Sequence, residues 1–357
     1  MGVQVLWLLC IPILIALLPL WMVLRSKEKN KLKKLLAVTL FLTFDLIIFG
    51  AFTRLTDSGL GCPDWPGCYD KAHPILASAD IAQAQQLLPT GPVTFAKAWI
   101  EMIHRYLAMT VGFLILVQVA MTWMKRKHDT RSFHYAMALL VFVLVQGAFG
   151  AWTVTLKLQP IIVTLHLLLG LGLLALLAWA WSVQEHPYVA RQSQHRGLII
   201  SVSLATFLLV MQIALGGWVS TNYAALACHG FPSCNGAMVP ELDFEHGFTL
   251  WRELGKTAGG DYLNVAALVS IHWVHRSFAW IALIAVVSAA WMARQHAPTQ
   301  KLANALLALI CVQFMTGVAT VYFAWPLTLA VLHNAGAASL VLLMTLLNYR
   351  VRYTLSN

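Results

Sequence analysis

Two short stretches decide the fold of this chain: EMIHRYLA (101–108) and HWVHRSFA (272–279). Each places a histidine–arginine pair inside a long apolar run, and the second stretch largely repeats the first. Ionisable side chains are rare in runs this apolar and mark a functional site by default. The repetition therefore indicates one scaffold that occurs twice, with a site in each copy.

The composition is that of a membrane protein. Apolar residues make up 59% of the 357 residues, charged residues make up only 11%, and the mean hydropathy is +0.72. Soluble domains carry roughly 25% charged residues, whereas a helix crosses the ~30 Å hydrocarbon core with about 20 apolar residues. The sequence thus predicts an all-α integral membrane fold. Its nine predicted spans lie at about 4–24, 36–53, 98–124, 135–156, 161–182, 198–219, 265–292, 302–323 and 327–349.

The formal net charge of +10 follows from topology. Basic residues gather at 25–34, 125–131, 191–196, 294–301 and 350–352. The clusters follow every second span, so all of them lie on the same side of the membrane. The positive-inside rule assigns that side to the cytoplasm or to its organellar equivalent. No nucleic-acid partner is predicted.

A repeat covers most of the chain. GAFTRLTDSGLGCPDWPGC (50–68) aligns without gaps with GGWVSTNYAALACHGFPSC (216–234), and QGAFG (146–150) aligns with QFMTG (313–317). Each half contains four spans, and an even number of spans gives both halves the same orientation. We therefore predict a parallel repeat whose halves are related by a pseudo-two-fold axis along the membrane normal.

The predicted organisation has three parts. Residues 1–34 form one extra membrane-spanning helix and a basic cytoplasmic linker, and the two four-helix bundles cover 35–185 and 197–350. The first apolar run is too long for a typical signal-peptide core, and no A-x-A cleavage site follows it. We predict that it is a retained helix with its N-terminus outside.

Five of the thirteen histidines fall within predicted spans: His104, His166, His272, His275 and His333. The repeat pairs His104 with His166 and His275 with His333, so each half offers one histidine on its second helix and one on its fourth. Two imidazoles that face each other across a four-helix bundle can hold a haem iron from both sides. Zinc or copper would require further nitrogen, sulfur or carboxylate ligands at the same depth. The sequence predicts a haem site near the external end of each half.

Arg105 and Arg276 directly follow two of the candidate ligands. A guanidinium beside a porphyrin can pair with a propionate, and the alternative is a side chain that snorkels to the membrane interface. Both interpretations remain open at this stage.

Glu101 distinguishes the two halves. It precedes His104 by three residues and so shares a helix face with it, whereas the second half has His272 at that position. A carboxyl group in an apolar pocket could act in proton transfer, or it could simply pair with Arg105. His272 cannot share an axial role with His275, because side chains three residues apart on one helix cannot hold iron from opposite sides. The role of His272 stays open.

Two cysteine pairs lie in predicted external loops, Cys62 with Cys68 and Cys228 with Cys234. Disulfides persist on that side of a membrane, and the spacing permits a small disulfide-closed loop in each half. The spacing is not one that is usual for zinc.

Together these residues resemble the heme A synthase family, and the likeness covers the chain from about residue 36 to 350. It rests on the repeat of four helices, the E-x-x-H-R motif at 101–105, the four paired histidines and the cysteine pairs of the loops. Members of this family oxidise the C8 methyl of haem O to a formyl group, which gives haem A for cytochrome c oxidase. The extra N-terminal helix departs from the eight-helix family core but lies outside the repeat.

The resemblance implies a role for each candidate residue. Haem b would be a cofactor of the C-terminal half, with His275 and His333 as axial ligands. The substrate haem O would bind near His104 and His166, with Glu101 important for its oxidation. The pair Cys62–Cys68 would take part in activity, as a redox or a covalent participant.

The resemblance also implies a setting. The protein would lie in a bacterial plasma membrane with both haem sites toward the external side. It would form homo-oligomers and contact haem O synthase, which makes its substrate.

Other functions are compatible with paired histidines. A dihaem b-type cytochrome that relays electrons from quinol would use the same four ligands, but it needs neither Glu101 nor the cysteine pairs. A haem carrier without catalysis would release its haem unchanged. A small-solute transporter is disfavoured, because the spans lack helices broken by Gly or Pro at matching positions of the two halves.

Overall fold

The computed structural model describes residues 2–185 and 196–353, and the regular secondary structure of this part of the chain is helical apart from isolated bridges. Its α-helices are α1 (Gly2–Arg25), α2 (Lys31–Leu55), α3 (Ser78–Leu87), α4 (Phe95–Met124), α5 (Thr130–Thr155), α6 (Pro160–Glu185), α7 (Arg196–Thr221), α8 (Phe244–Gly247), α9 (Val265–Arg294), α10 (Ala297–Tyr322) and α11 (Leu327–Arg352). Within these residues, nine helices are long and apolar enough to cross a membrane, all except α3 and α8. The predicted all-α membrane fold and its nine spans are confirmed.

Short polar side chains start several of the spanning helices. Asn30, Thr94, Asp129 and Asn264 precede α2, α4, α5 and α9, and each accepts a hydrogen bond from a main-chain N–H three residues further on. Such caps satisfy N–H groups that have no partner within the first turn of the helix. Thr94 extends α4 to 30 residues, three residues earlier than its apolar pattern predicted.

The chain divides into two compact units, Met1–Leu158 with Gly172–Glu185 and Gln159–Leu171 with His186–Asn357. In the first unit, the extra helix α1 packs against α2 and α4, and α4 packs against α2 and α5. The Thr110 hydroxyl on α4 donates to the Pro12 carbonyl of α1, 3.2 Å away. The Gln118 amide donates to the Thr39 hydroxyl of α2 at 2.8 Å. These hydrogen bonds between helices add to close apolar packing, as is common within membranes.

In the second unit, four helices form a bundle. Helix α9 packs against α7 and α10, and α11 packs against the same two helices, so α9 and α11 lie diagonally opposite each other. The Asn348 amide near the C-terminus of α11 donates to the Thr206 hydroxyl of α7 at 2.7 Å, which joins these two helices. The diagonal helices carry His275 and His333, as a pair of axial ligands requires.

Candidate functional site

The two histidines of the second unit have polar partners on neighbouring helices. Gln212 of α7 places Nε2 at 3.1 Å from His275 Nδ1, and the same amide donates to the His275 carbonyl. Thr316 of α10 places Oγ1 at 3.0 Å from His333 Nδ1. The Gln313 amide donates to the His333 carbonyl at 3.0 Å and lies 3.4 Å from its ring Nε2. Both rings are therefore oriented by side chains on other helices.

Glycines on the neighbouring helices make room for these rings. A Cβ at Gly216 would lie 2.9 Å from Cε1 of His275, and one at Gly317 would lie 3.0 Å from Cε1 of His333. Real Cβ atoms essentially never come closer than 3.0 Å, so each imidazole packs against bare main chain. Two histidines from diagonal helices, each seated on a glycine, are a donor set that fits a haem with two axial imidazoles.

The first unit has the same kind of contact between a glycine and an imidazole ring. A Cβ at Gly50 of α2 would lie 3.0 Å from Nε2 of His104, and the ring of Phe49 stacks near the imidazole at a centroid distance of 6.4 Å. His166 lies on the part of α6 that groups with the second unit. The pairing of His104 with His166 therefore stays a prediction from the repeat.

Glu101 is held on both carboxylate oxygens. Its side chain is almost fully buried. Oε1 accepts a hydrogen bond from Nη2 of Arg105 at 2.5 Å, and Oε2 accepts one from the main-chain N–H of Cys62 at 2.8 Å. Nη1 of Arg105 also donates to the carbonyls of Asp64 and Gly67, at 2.8 and 2.5 Å. The ion pair with Arg105, one of the two interpretations of Glu101, is present, and the arginine links this carboxylate to the loop between α2 and α3.

Both cysteine pairs form disulfides, Cys62–Cys68 and Cys228–Cys234, with Cα–Cα distances of 4.9 Å in each. The arginine that follows each histidine holds its own disulfide loop. Arg276 donates to the carbonyls of Gly230 and Ser233, the positions that align with the two carbonyl acceptors of Arg105. The repeat thus extends to the contacts between helix and loop.

The first disulfide loop lies directly on helix α4. A Cβ at Gly61 would lie 2.5 Å from the carbonyl carbon of Lys97, so only glycine permits this approach. Further along the loop, burial and the nearby carboxylates of Asp64 and Asp80 raise the pKa of Tyr69. Because the loop packs closely on α4 at Gly61, the N–H of the next residue, Cys62, reaches Glu101.

The second unit lacks a carboxylate at the corresponding position of α9. His272 occupies it and is 3% exposed, and Arg276 donates to the Sγ atom of Cys228 at 2.9 Å. In both halves, a histidine packs against a glycine and an arginine binds carbonyls of the disulfide loop. The halves differ in the residue four positions before that arginine, which is Glu101 in one and His272 in the other. Sequence reasoning identified this difference but did not identify Gln212 and Thr316, whose roles depend on contacts between helices.

We expect Arg105→Lys to expose the first disulfide loop selectively. A lysine cannot reach Glu101 and two loop carbonyls together. A hydrogen bond from a charged group contributes roughly 1.5–3 kcal/mol, so loss of one should speed reduction of Cys62–Cys68 by about tenfold or more.

Timed reduction by a phosphine, then alkylation and mass analysis, measures both disulfides in one sample. Arg276→Lys is the matched control and should affect only Cys228–Cys234. Equal reduction rates in both variants would contradict the assignment of each arginine to its own loop.

The fold and the site define a class, namely polytopic helical membrane proteins with histidines on diagonally opposite helices of a bundle. A family model described as "Cytochrome oxidase assembly protein" (COX15-CtaA) matches residues 33–345, and the chain belongs to this family. It is 36% identical to "Heme A synthase" of Shewanella oneidensis over 316 residues, which are 88% of this chain and 95% of that protein. It is 30% identical to "Heme A synthase" of Caulobacter sp. strain K31 over 92% of this chain and 98% of that protein. The protein of the same name from Shouchella clausii is 27% identical over 90% of this chain and 96% of its own length.

Proposed function

We propose that this chain is a heme A synthase, a membrane oxidoreductase that converts the C8 methyl of haem O to a formyl group through a hydroxymethyl group. The product, haem A, serves cytochrome c oxidase. One observation supports this function beyond family membership. Glu101 is buried beneath the Cys62–Cys68 loop, one helical turn from His104, and the other half has no carboxylate at the corresponding position. A carrier of electrons alone has no use for that carboxylate.

The C-terminal half holds haem b as the resident cofactor, with His275 and His333 as axial ligands. The contacts of both rings with glycine, and the hydrogen bond between Thr316 Oγ1 and Nδ1 of His333, support this assignment. When bound, this haem supplies one-electron transfer to and from the substrate half. The chain contributes the orientation of the two rings and a setting in the membrane that limits access of water.

The N-terminal half binds haem O through His104 and His166. Glu101 lies one helical turn from His104 and stabilises positive charge that develops at the reacting carbon. Arg105 and the Cys62 N–H fix the position of the carboxylate. Each guanidinium has five N–H donors, which leaves Arg105 and Arg276 able to meet a haem propionate while they hold the loops.

The conversion takes two successive two-electron oxidations, each of which needs an external two-electron oxidant and adds one oxygen atom to the carbon. The first turns the methyl into a hydroxymethyl group, and the second gives a gem-diol that loses water to form the aldehyde. The disulfide Cys62–Cys68 maintains the loop over Glu101 during both steps. This disulfide remains a candidate for a redox part in the reaction, and Cys228–Cys234 serves the second loop.

The proposed location is the bacterial plasma membrane, with both haem sites toward the external side. The basic clusters at the opposite helix ends support this orientation. Haem O is poorly soluble, so direct contact with haem O synthase would supply it, and assembly as a homo-oligomer is part of the proposal.

The function is tested by the pigments that copurify with the protein. The protein is made in cells that also produce haem O, its porphyrins are extracted, and each is identified by mass. Haem b together with haem O, its hydroxylated form or haem A is the expected result. Two haem b groups per chain, with no haem O derivative, would overturn the proposal and leave the dihaem electron-transfer cytochrome.

A further inference from the structure

The extra helix α1 contacts the segment that carries the first disulfide. Oε1 of Gln4 accepts a hydrogen bond from the main-chain N–H of Ala72 at 2.9 Å. One turn further along α1, Leu8 is 7% exposed and packs in the same buried cluster as Cys62 and Cys68. Residues four apart share a face of a helix, so this face of α1 makes one polar and one apolar contact with the segment.

Both main-chain polar groups of Ala72 are bound by side chains of spanning helices. Its N–H donates to Gln4 of α1, and its carbonyl accepts a hydrogen bond from the Tyr106 hydroxyl of α4, 2.6 Å away. Ala72 is fully buried. Because each of the two helices holds one of these groups, the position of this segment depends on α1 as well as on α4.

A short series of bonds joins Ala72 to the carboxylate of Glu101. The residue before Ala72, Lys71, exchanges two main-chain hydrogen bonds with Cys68, at 2.9 and 3.0 Å. The disulfide links Cys68 to Cys62, whose N–H donates to Glu101 at 2.8 Å. The segment from Cys62 to Ala72 is therefore tied together, with Glu101 at one end and α1 at the other.

The second disulfide loop contains the same turn and serves as a comparison. Cys234 and Ala237 also exchange two main-chain hydrogen bonds, so the next residue, Met238, corresponds to Ala72. The Met238 carbonyl accepts a hydrogen bond from Nε1 of Trp273 on α9, 2.9 Å away. Met238 is 68% exposed, whereas Ala72 is fully buried. Each turn is thus bound by a helix of its own bundle, and contact with α1 distinguishes the first.

We propose that α1 secures the first disulfide loop on α4 and so keeps the Cys62 N–H on Glu101, with Gln4 and Leu8 as positioning residues. The family model matches residues 33–345, so α1 adds this support to the part of the chain that defines the family. The inference rests on the proposed function only for the chemical importance of Glu101.

The test compares the two disulfide loops within one sample of the purified full-length protein. Gln4→Leu removes the hydrogen-bond acceptor, whereas Gln4→Glu keeps one. Leu8→Ala removes the buried side chain, and Leu9→Ala is its matched control because Leu9 is 57% exposed. The measurements are the rate at which a phosphine reduces each disulfide and the hydrogen–deuterium exchange rate of the Cys62 N–H, resolved by fragmentation in the mass spectrometer.

Both rates follow the population of the locally opened loop. We expect Gln4→Leu to raise the reduction rate of the first disulfide and the exchange rate of the Cys62 N–H about fivefold, the effect of one typical neutral hydrogen bond. Leu8→Ala should raise both by about tenfold or more, because it leaves a cavity in a buried cluster. Gln4→Glu and Leu9→Ala should match the parent, and the second disulfide should keep its rate in every variant.

Parent rates for the first disulfide and for the Cys62 N–H in both Gln4→Leu and Leu8→Ala would overturn the proposal. Equal acceleration of the two disulfides would also overturn it, because α1 would then stabilise the whole chain and not this loop. Neither measurement requires haem O, so the outcome is independent of whether the proposed reaction occurs.

Discussion

Replacing Glu101 with glutamine is expected to stop formation of haem A while haem O remains bound. Glutamine has nearly the same shape, so the loop above it can keep its place, but it carries no charge and offers an NH₂ group to the donors that now face the carboxylate. Loss of one preorganised group that stabilises transition-state charge typically costs about 10²–10³-fold in rate, and we expect a loss in that range. Mass analysis of extracted porphyrins over time measures the conversion.

The control for this variant is Glu245→Gln, which neutralises an exposed carboxylate on the short helix α8 of the second unit. It should convert haem O at the parent rate. If the Glu101 variant made haem A as fast as the parent, the carboxylate would have only a structural role. If it no longer bound haem O, Glu101 would be a binding residue and the mechanism proposed for it would be wrong.

Removal of either axial ligand in the C-terminal half should remove haem b. We expect His275→Ala and His333→Ala to weaken haem b binding by more than about 100-fold, because loss of an outer partner alone reaches that range. The corresponding changes at His104 and His166 should leave haem b in place and reduce binding of haem O. Pyridine haemochrome spectra and the mass of the extracted porphyrin distinguish the two results.

The control histidine is His246, which lies in α8 and pairs with Asp243. His246→Ala should retain both haems. A reversed pattern, with haem b lost from the His104 and His166 variants only, would exchange the roles assigned to the two halves. If all four variants retained haem b, the assignment of these histidines as haem ligands would be wrong.

The membrane spans followed from the sequence because helix formation in hydrocarbon depends on a local property. Every main-chain polar group must be satisfied within the segment itself, so an apolar run of sufficient length is a helix whatever its neighbours are. The predicted 265–292 and 327–349 agree closely with Val265–Arg294 and Leu327–Arg352. Differences arise at the ends, where a capping side chain such as Thr94 extends the helix past its apolar residues.

The candidate ligands were also predicted from the sequence, because the internal repeat places histidines at matching positions of the two halves. Four histidines at matched positions in two halves indicated a paired site, and the single carboxylate at 101 indicated which half differs. The arginines were interpreted less completely. Arg105 and Arg276 suggested a propionate or the membrane interface, whereas both side chains contact carbonyls of the disulfide loops. Those carbonyls lie 38 to 46 residues away along the chain, and no local pattern encodes such a contact.

By itself, the sequence determined the class, the spans and the repeat and indicated the candidate site residues, because hydropathy and duplication are properties of residues in order. Only the tertiary structure decided which groups surround those residues. Gln212 and Thr316 became partners of His275 and His333, and Glu101 came to lie beneath the N–H of Cys62. The reason is that such hydrogen bonds depend on the rotation and depth of one helix against another. That register is set by packing, such as the seating of an imidazole on glycine, and packing exists only once the helices have assembled.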